Sequence, residues 1–555
     1  MTDHASPATE TEIREALARR PGDPDMLLRL ASAAMRRGDP AVALAALADA
    51  AALRPDHART QIALANAHII AGAHRRALPH AEAATRLDPG NAQSWATLGF
   101  LNRALLRYVP ALGALEESLR LDPTLADARL ALAATLFESG CWVQAAEQAE
   151  ALLATQPGDE RARMIAGLAR LRARHPAAVL AHFGRAFAGS GEDAVRAAAC
   201  AEAALLSGDR DAALGHLAAA GDLLSHPATA VAAGRIAEAC GDLPTALARY
   251  DAALALQDND TAAFTAHALA RAKLHANVQA GDAAQPPVHP DRWVTAGTVG
   301  TIGRFGDQLG QYALARLYAD SCGLRLMTLP WIGQPLFGIR DAAMAAVPPA
   351  HYVRVPPDDP VYAAIARWAP LEPAPVLGRD IVGPFVPLRL AAQRDRVRQM
   401  FRLVAPWSAM ADAARSRLLA RGRTIVAVHL RFGDFLRDRA SDVVDPRAYA
   451  AWLEGIWPGL DRPVLYVATD EPARALPMLR PFGPVTAADV AGGPQPLPFL
   501  LDFAMLAAAD ALAVARSHFS RWAALLNVRA RLLAKPAPGN AALMSFDPWT
   551  EDGPP

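Results

Sequence analysis

The residues best placed to do chemistry sit in "TIVAVHLRFGDF", residues 424–435, where an apolar β-branched run ends in His429, Arg431, Gly433 and Asp434. Two residues apart on a strand, His429 and Arg431 share a face. An arginine at such a strand end can grip a diphosphate through two parallel charge-assisted hydrogen bonds. Gly433 permits a tight turn, and Asp434 can fix the arginine or the loop. The same residues also describe an ordinary strand-end arginine paired with a carboxylate.

Three further segments have related character. "GTVGTIGRFGDQLGQYALAR" places Gly297, Gly300, Gly303 and Gly306 before a predicted helix. That spacing does not fit a dinucleotide fingerprint, but a glycine turn feeding a helix can offer backbone N–H groups to an anion. "PVLYVATDEP" ends an apolar strand in Thr469, Asp470 and Glu471, which suits a carboxylate for a base or ribose and equally suits a plain helix start. "ALAVARSHFSRWAALL" reads as a strand, a turn from Ser517 to Ser520 and a helix whose first hydroxyls and N–H groups fit phosphate oxygens or an N-cap.

The elements that must position these residues alternate. "WVTAGTV", "LRLMTL", "TIVAVHL", "PVLYVAT" and "ALAVA" are predicted strands, while "DQLGQYALARLYADSCG", the segment around 391–420 and "FSRWAALLNVRARLL" are predicted helices. Such alternation predicts α/β layers with parallel sheets, where ligands bind beyond the carboxyl ends of the strands. The proline-rich stretch 341–388 is expected where two sheets meet.

In chain order, "GRFGDQLGQYALAR", "HLRFGD", "YVATDEP" and "RSHFSRWAALL" resemble the four successive motifs of GDP-fucose-dependent fucosyltransferases, most like the bacterial α-1,2 type and related to the α-1,6 and protein O-fucosyl types. The resemblance spans 294 to 540, and HxRxGD is its most specific part. It implies a GT-B-like fold of two Rossmann-like halves and inverting transfer without a metal or other cofactor. Arg431 would hold the β-phosphate of the donor and stabilise the departing GDP, an electrostatic contribution. His429 and Asp470 would contact the nucleotide. Ser517, Phe519 and Ser520 would line phosphate and ribose, and Gly306 and Gln308 would close from the opposite half. Asp434 and Glu471 are candidate bases for the acceptor hydroxyl, with Arg431 and Asp434 as the expected catalytic pair. The chain departs from the family pattern at Asp307, where asparagine is usual, and at Phe432, where many members carry another arginine.

Upstream, "QAGDAAQPPVHPDRW" supplies Gly281, Pro286, Pro287 and Pro290 as a boundary, which gives an expected linker over 279–292 and an α/β domain over 293–540, with 541–555 as a tail. Residues 1–278 are a repeat. Pro21, Pro55, Pro89, Pro123 and Pro157 recur every 34 residues, and the phase continues through Gly191, Ser225 and Asn259. Ala43, Ala77, Ala111, Ala145 and Ala213 recur in the same frame, with Val179 and Leu247 in the two remaining units. One unit carries Trp95, Leu98, Gly99, Ala111 and Pro123 at the positions of a tetratricopeptide repeat, a family it resembles strongly. About seven units fit between residues 24 and 261 with capping helices on either side, an all-α solenoid stabilised by stacking and expected to take a protein or peptide on its concave face.

Composition excludes other classes. The 56 basic and 56 acidic residues cancel, so the footprint of a nucleic-acid or anionic-membrane binder is missing. "MTDHASPATE" lacks the basic and apolar regions of a secretory signal, which makes the cytoplasm the expected location. The most apolar window, 497–515, is interrupted by Asp502 and Asp510 and reads as a buried helix followed by a strand. Cys141, Cys200, Cys240 and Cys322 lack metal-ligand or CxxC spacing and are expected as buried free thiols. The expectation is therefore a glycosyltransferase moving fucose or a similar sugar from a GDP-sugar to a glycan or protein hydroxyl, with the repeats recruiting acceptor or partner. Two alternatives are a repeat scaffold with an inactive transferase-like half and a transferase using another nucleotide sugar; a repeat-bearing O-GlcNAc transferase plan, which uses UDP-sugars, is argued against by the four motifs.

Overall fold

The computed structural model describes residues 22–184, 191–220, 225–258, 260–276, 292–354, 359–368, 374–438 and 442–550, with Ile13, Glu15, Leu17 and Ala18 before them. Pro21, Asn259 and most of the expected linker, with Gly281 and its three prolines, lie outside the described residues. The chain divides into two compact units, Met1–Ala169 and Arg170–Pro555.

The first unit is a stack of helical hairpins. Its first helices, Pro24–Arg36, Ala58–Ile70, Ala92–Ala104 and Ala126–Glu138, begin 34 residues apart, and so do their partners Pro40–Leu53, His74–Leu87, Tyr108–Leu121 and Trp142–Thr155. The recurring Ala43, Ala77, Ala111 and Ala145 are fully buried, because a small side chain is what lets paired helices approach. Gly99 marks a close crossing: a Cβ there would lie 2.5 Å from Leu115 Cγ. Asp23, Asp39 and Asn91 start helices by accepting backbone N–H groups.

The second unit begins with repeat helices and ends in α/β structure. The repeats that sequence assigned to a single domain through 278 therefore fall in both units. Pro176–Phe183, Gly191–Leu206, Arg210–Ala219, Pro227–Ala239 and Leu243–Leu256 continue the hairpins, and Thr261–Ala276 contributes Ala268 and Ala272 to the core of the α/β region.

The α/β region holds two five-stranded sheets. The first contains β1 (Trp293–Ala296), β2 (Arg325–Thr328), β3 (Ala342–Ala343), β4 (Ala350–Tyr352) and β5 (Asp380–Val382) in the order β3-β2-β1-β5-β4, with every pair parallel. The stretch 341–388 thus builds both edge strands, β3 and β4, and the interior strand β5 of this sheet instead of joining two sheets. The second contains β6 (Thr424–Leu430), β7 (Pro463–Thr469), β8 (Ala511–Ala513), β9 (Leu532–Pro536) and β10 (Leu543–Ser545) in the order β10-β9-β8-β6-β7. Only β10 is antiparallel. Strand order reverses beside β1 in one sheet and beside β6 in the other, the points where open parallel sheets leave a crevice beyond their carboxyl ends.

Two sequence expectations need correction here. The helix expected through "FSRWAALLNVRARLL" is His518–Leu526 and stops where buried Asn527 accepts the Arg529 and Ala530 N–H groups and donates to the Leu506 and Ala509 carbonyls. The expected tail is partly sheet: β10 pairs with β9, and the indole of buried Trp549 donates to the Leu525 carbonyl at 3.2 Å. The apolar window does form a buried helix, Pro498–Ala507, leading to β8. Among the described residues no helix is long and apolar enough to cross a membrane. Cys141, Cys200 and Cys322 are buried, but Cys240 is exposed at a helix end.

Candidate active site

The second sheet delivers its site residues by strand parity. Ile425 and Ala427 pack into the core shared with the first sheet, on the side to which His429 also points, while Val426, Val428, Leu430 and Phe432 pack on the other face. His429 is buried with its ring 5.4 Å from that of Phe519, and its Nδ1 has no hydrogen-bond partner. Burial, reinforced by the Arg431 charge, lowers its pKa to about 3, so the imidazole is neutral. From Phe519 an aromatic chain runs through Phe503, Phe305 and Phe499 to Phe264 of the last repeat helix, with ring centres 5.0–5.5 Å apart.

Arg431 leaves the strand end into the crevice, where its Nη2 meets Asp434 Oδ1 at 2.5 Å and its Nη1 meets Asp470 Oδ2 at 2.8 Å. Asp470 is anchored by the Phe432 N–H, 3.0 Å from Oδ1. Gly433 is required by this packing. Its φ is +20°, and a Cβ would lie 2.6 Å from Asp470 Oδ2. Phe432, the departure from the family pattern, is a buried core residue beneath the Arg474 guanidinium.

The opposing half supplies a second cation. Arg304 begins the helix Phe305–Ser321 and reaches to 3.7 Å from Asp434 Oδ2, so one carboxylate lies between two guanidiniums. Burial and the Arg431 charge lower the Arg304 pKa from its ordinary value. Arg304 was not singled out from sequence, yet a signal existed: Arg304-Phe305-Gly306-Asp307 repeats the tetrapeptide Arg431-Phe432-Gly433-Asp434. Both phenylalanines are buried, and each glycine sits where a neighbouring group comes too close for a side chain.

The first copy of the tetrapeptide packs on the helix His518–Leu526. A Cβ on Gly306 would lie 2.7 Å from the His518 carbonyl carbon and the Phe519 nitrogen. Beside this contact Asp307 Oδ1 receives His518 Nδ1 at 2.7 Å, while Oδ2 accepts the Arg304 N–H at 2.9 Å. His518, also missed from sequence, stands between Ser517 and Phe519 in the "RSHFSRW" segment.

Other expected donor contacts are placed differently. Gln308 is fully buried and donates its amide to Thr265 Oγ1 at 3.1 Å and the Gly303 carbonyl at 3.2 Å, which makes it a link to the last repeat helix. Ser520 is also buried and accepts the Ala515 N–H, fixing the loop after β8. Ser517 caps its helix by accepting the Phe519 N–H at 3.3 Å. Glu471 pairs with Arg474 at 3.5 Å. On the crevice margin Arg437 pairs with Asp258 of the repeats at 2.6 Å and holds that carboxyl below its ordinary range. No cluster of metal-ligating residues occurs among the described residues.

No family model and no curated protein matches the chain. Solved structures similar to part of it include YrrB, a TPR protein with an unusual peptide-binding site, at 19% identity over 37% of this chain and 98% of that one, with a TM-score of 0.30. A tetratricopeptide repeat protein from Parabacteroides merdae matches at 15% identity over 43% and 95% with a TM-score of 0.34. TTC0263, a TPR protein of Thermus thermophilus, matches at 25% over 29% and 89% with a TM-score of 0.26. The repeat assignment itself rests on the 34-residue spacing of helix starts in this chain.

Proposed function

We propose that the α/β region is a glycosyltransferase that transfers fucose or a similar sugar from a GDP-sugar to a hydroxyl, in a GT-B-like arrangement of its two parallel-sheet halves. The observation that supports this reading is the convergence of Arg304 and Arg431 from facing halves on one partly exposed crevice, where side-chain exposures are 31% and 20%. Two guanidiniums so placed suit a diphosphate leaving group, whose charge grows as the sugar departs. In this reading Asp434 and Asp470 hold Arg431 in place until the nucleotide arrives, and the helical repeats recruit the acceptor or a protein partner.

The test is GDP release from GDP-fucose by the full chain, with stabilisation by GDP, UDP and ADP measured in parallel by thermal shift. A ligand that binds only the native state raises apparent stability by mass action. Arg431→Ala is expected to lower kcat by on the order of 10²–10³-fold, the typical effect of removing one donor to a developing oxyanion. Stabilisation by UDP alone would overturn the GDP assignment. Wild-type turnover unchanged in Arg431→Ala would overturn the role of the arginine. A chain that neither turns over a nucleotide sugar nor responds to a nucleotide would be left as an interaction scaffold.

A further inference from the structure

We infer that His518 is the general base of this site and that Asp307 is its positioning residue, an assignment that rests on the transferase reading above. The carboxylates expected as bases are otherwise engaged: Asp434 lies between Arg431 and Arg304, and Glu471 pairs with Arg474; Asp470, expected at the nucleotide, holds Arg431. His429 is buried and cannot meet an acceptor. His518 can, because its side chain is about half exposed, at 48%.

Asp307 fixes this imidazole from both sides of its carboxylate. Oδ1 takes the Nδ1 proton at 2.7 Å, and Oδ2 is held at 2.9 Å by the N–H of Arg304, the residue whose guanidinium approaches the Arg431 pair. A carboxylate at Nδ1 selects the tautomer with its lone pair on Nε2, the atom that must receive a proton. The close packing of Gly306 on the His518 backbone fixes this helix start beside the turn that carries Arg304. As the acceptor oxygen bonds to the anomeric carbon, its proton passes to Nε2. The bond from that carbon to the phosphate oxygen breaks, its electron pair leaves with the diphosphate, and the charge is met by Arg431 and Arg304. Asp307 stays ionised and compensates the imidazolium.

The experiment follows GDP release from GDP-fucose with water as acceptor, and GDP-induced thermal stabilisation, for wild type, His518→Ala, His518→Gln, Asp307→Asn and Arg431→Ala in the full chain. Both His518 variants should lose on the order of 10²-fold or more in kcat, the usual contribution of a general base, while the KM for GDP-fucose and the GDP stabilisation are kept. Asp307→Asn should fall between, again in kcat with KM for GDP-fucose unchanged, as expected of a residue that acts by orienting the imidazole. Turnover by His518→Ala within about threefold of wild type, on the scale expected for losing a general base, would overturn the assignment. So would a wild type that is stabilised by GDP yet releases none from GDP-fucose, with nucleotide binding left standing. A wild type silent in both assays removes the transferase reading and this assignment with it.

Discussion

Replacing His429 by glutamine should change how stability responds to acid, in a direction fixed by three buried groups. Burial and the neighbouring Arg431 lower the His429 pKa to about 3, against about 6.5 in an unfolded chain. A group depressed in this way contributes stability that is present above the unfolded value and lost as pH falls toward the folded one. Between pH 7 and pH 5 the loss amounts to about 2 kcal/mol. Asp380 and Asp502 act in the opposite sense, because burial raises each to about 6. Their contribution is complete below about pH 4 and is lost as pH rises through 6, so the same step from pH 7 to pH 5 restores about 1 kcal/mol each. These three groups nearly cancel in the wild type. His429→Gln should uncover the carboxylates and become more stable at pH 5 than at pH 7 by about 2 kcal/mol relative to wild type, and Asp380→Asn should shift the balance the other way by about 1 kcal/mol. Urea unfolding followed by tryptophan fluorescence is the assay, since eight of the ten tryptophans lie at or beyond position 293. Parallel pH profiles for wild type and His429→Gln would refute a buried neutral imidazole under Arg431.

Two other outcomes follow from packing and exposure. Gly306→Ala puts a Cβ 2.7 Å from the backbone of His518 and Phe519, about 0.7 Å inside the 3.4 Å limit of ordinary contact; it should cost about 1–3 kcal/mol as overpacking does and lower turnover, and a variant as stable and active as wild type would contradict the close approach. Of the four cysteines only Cys240 is exposed, and burial raises the Cys200 thiol to about 11, so one thiol should react rapidly with a disulfide reagent under native conditions and none should in Cys240→Ser.

The repeats were legible because their physics is local. Each hairpin needs a small residue at its crossing and a turn at its end, so Ala43 through Ala145 and the stepped prolines record the fold directly. The long strands β6 and β7 were legible for a similar reason, as uninterrupted runs rich in valine. β3 and β4, two and three residues long, leave no pattern, and their stretch read only as proline-rich. Gln308 and Ser520 face the protein interior, which the sequence does not announce, because a polar side chain near a turn looks the same whether it faces a crevice or a neighbouring segment. Gln308 meets Thr265, 43 positions away, and no local feature announces that partner. Arg304 and His518 were within the quoted motifs, but what distinguishes them is the partner each finds across the fold.

The repeated Arg-Phe-Gly-Asp turn shows how one local solution serves two purposes. In both copies the phenylalanine is driven into the core and the glycine allows another chain segment to approach, which leaves arginine and aspartate at the crevice. The aspartates then diverge. Asp434 lies between Arg431 and Arg304 and offsets the repulsion of two like charges that would otherwise cost stability in a partly desolvated site. Asp307 turns instead to its own helix start and to His518. In the proposed transferase an arriving diphosphate would compete with the first carboxylate for the same guanidiniums and leave the second untouched. The two acids are therefore not interchangeable: Asp434 neutralises a pair of guanidiniums, and Asp307 holds an imidazole.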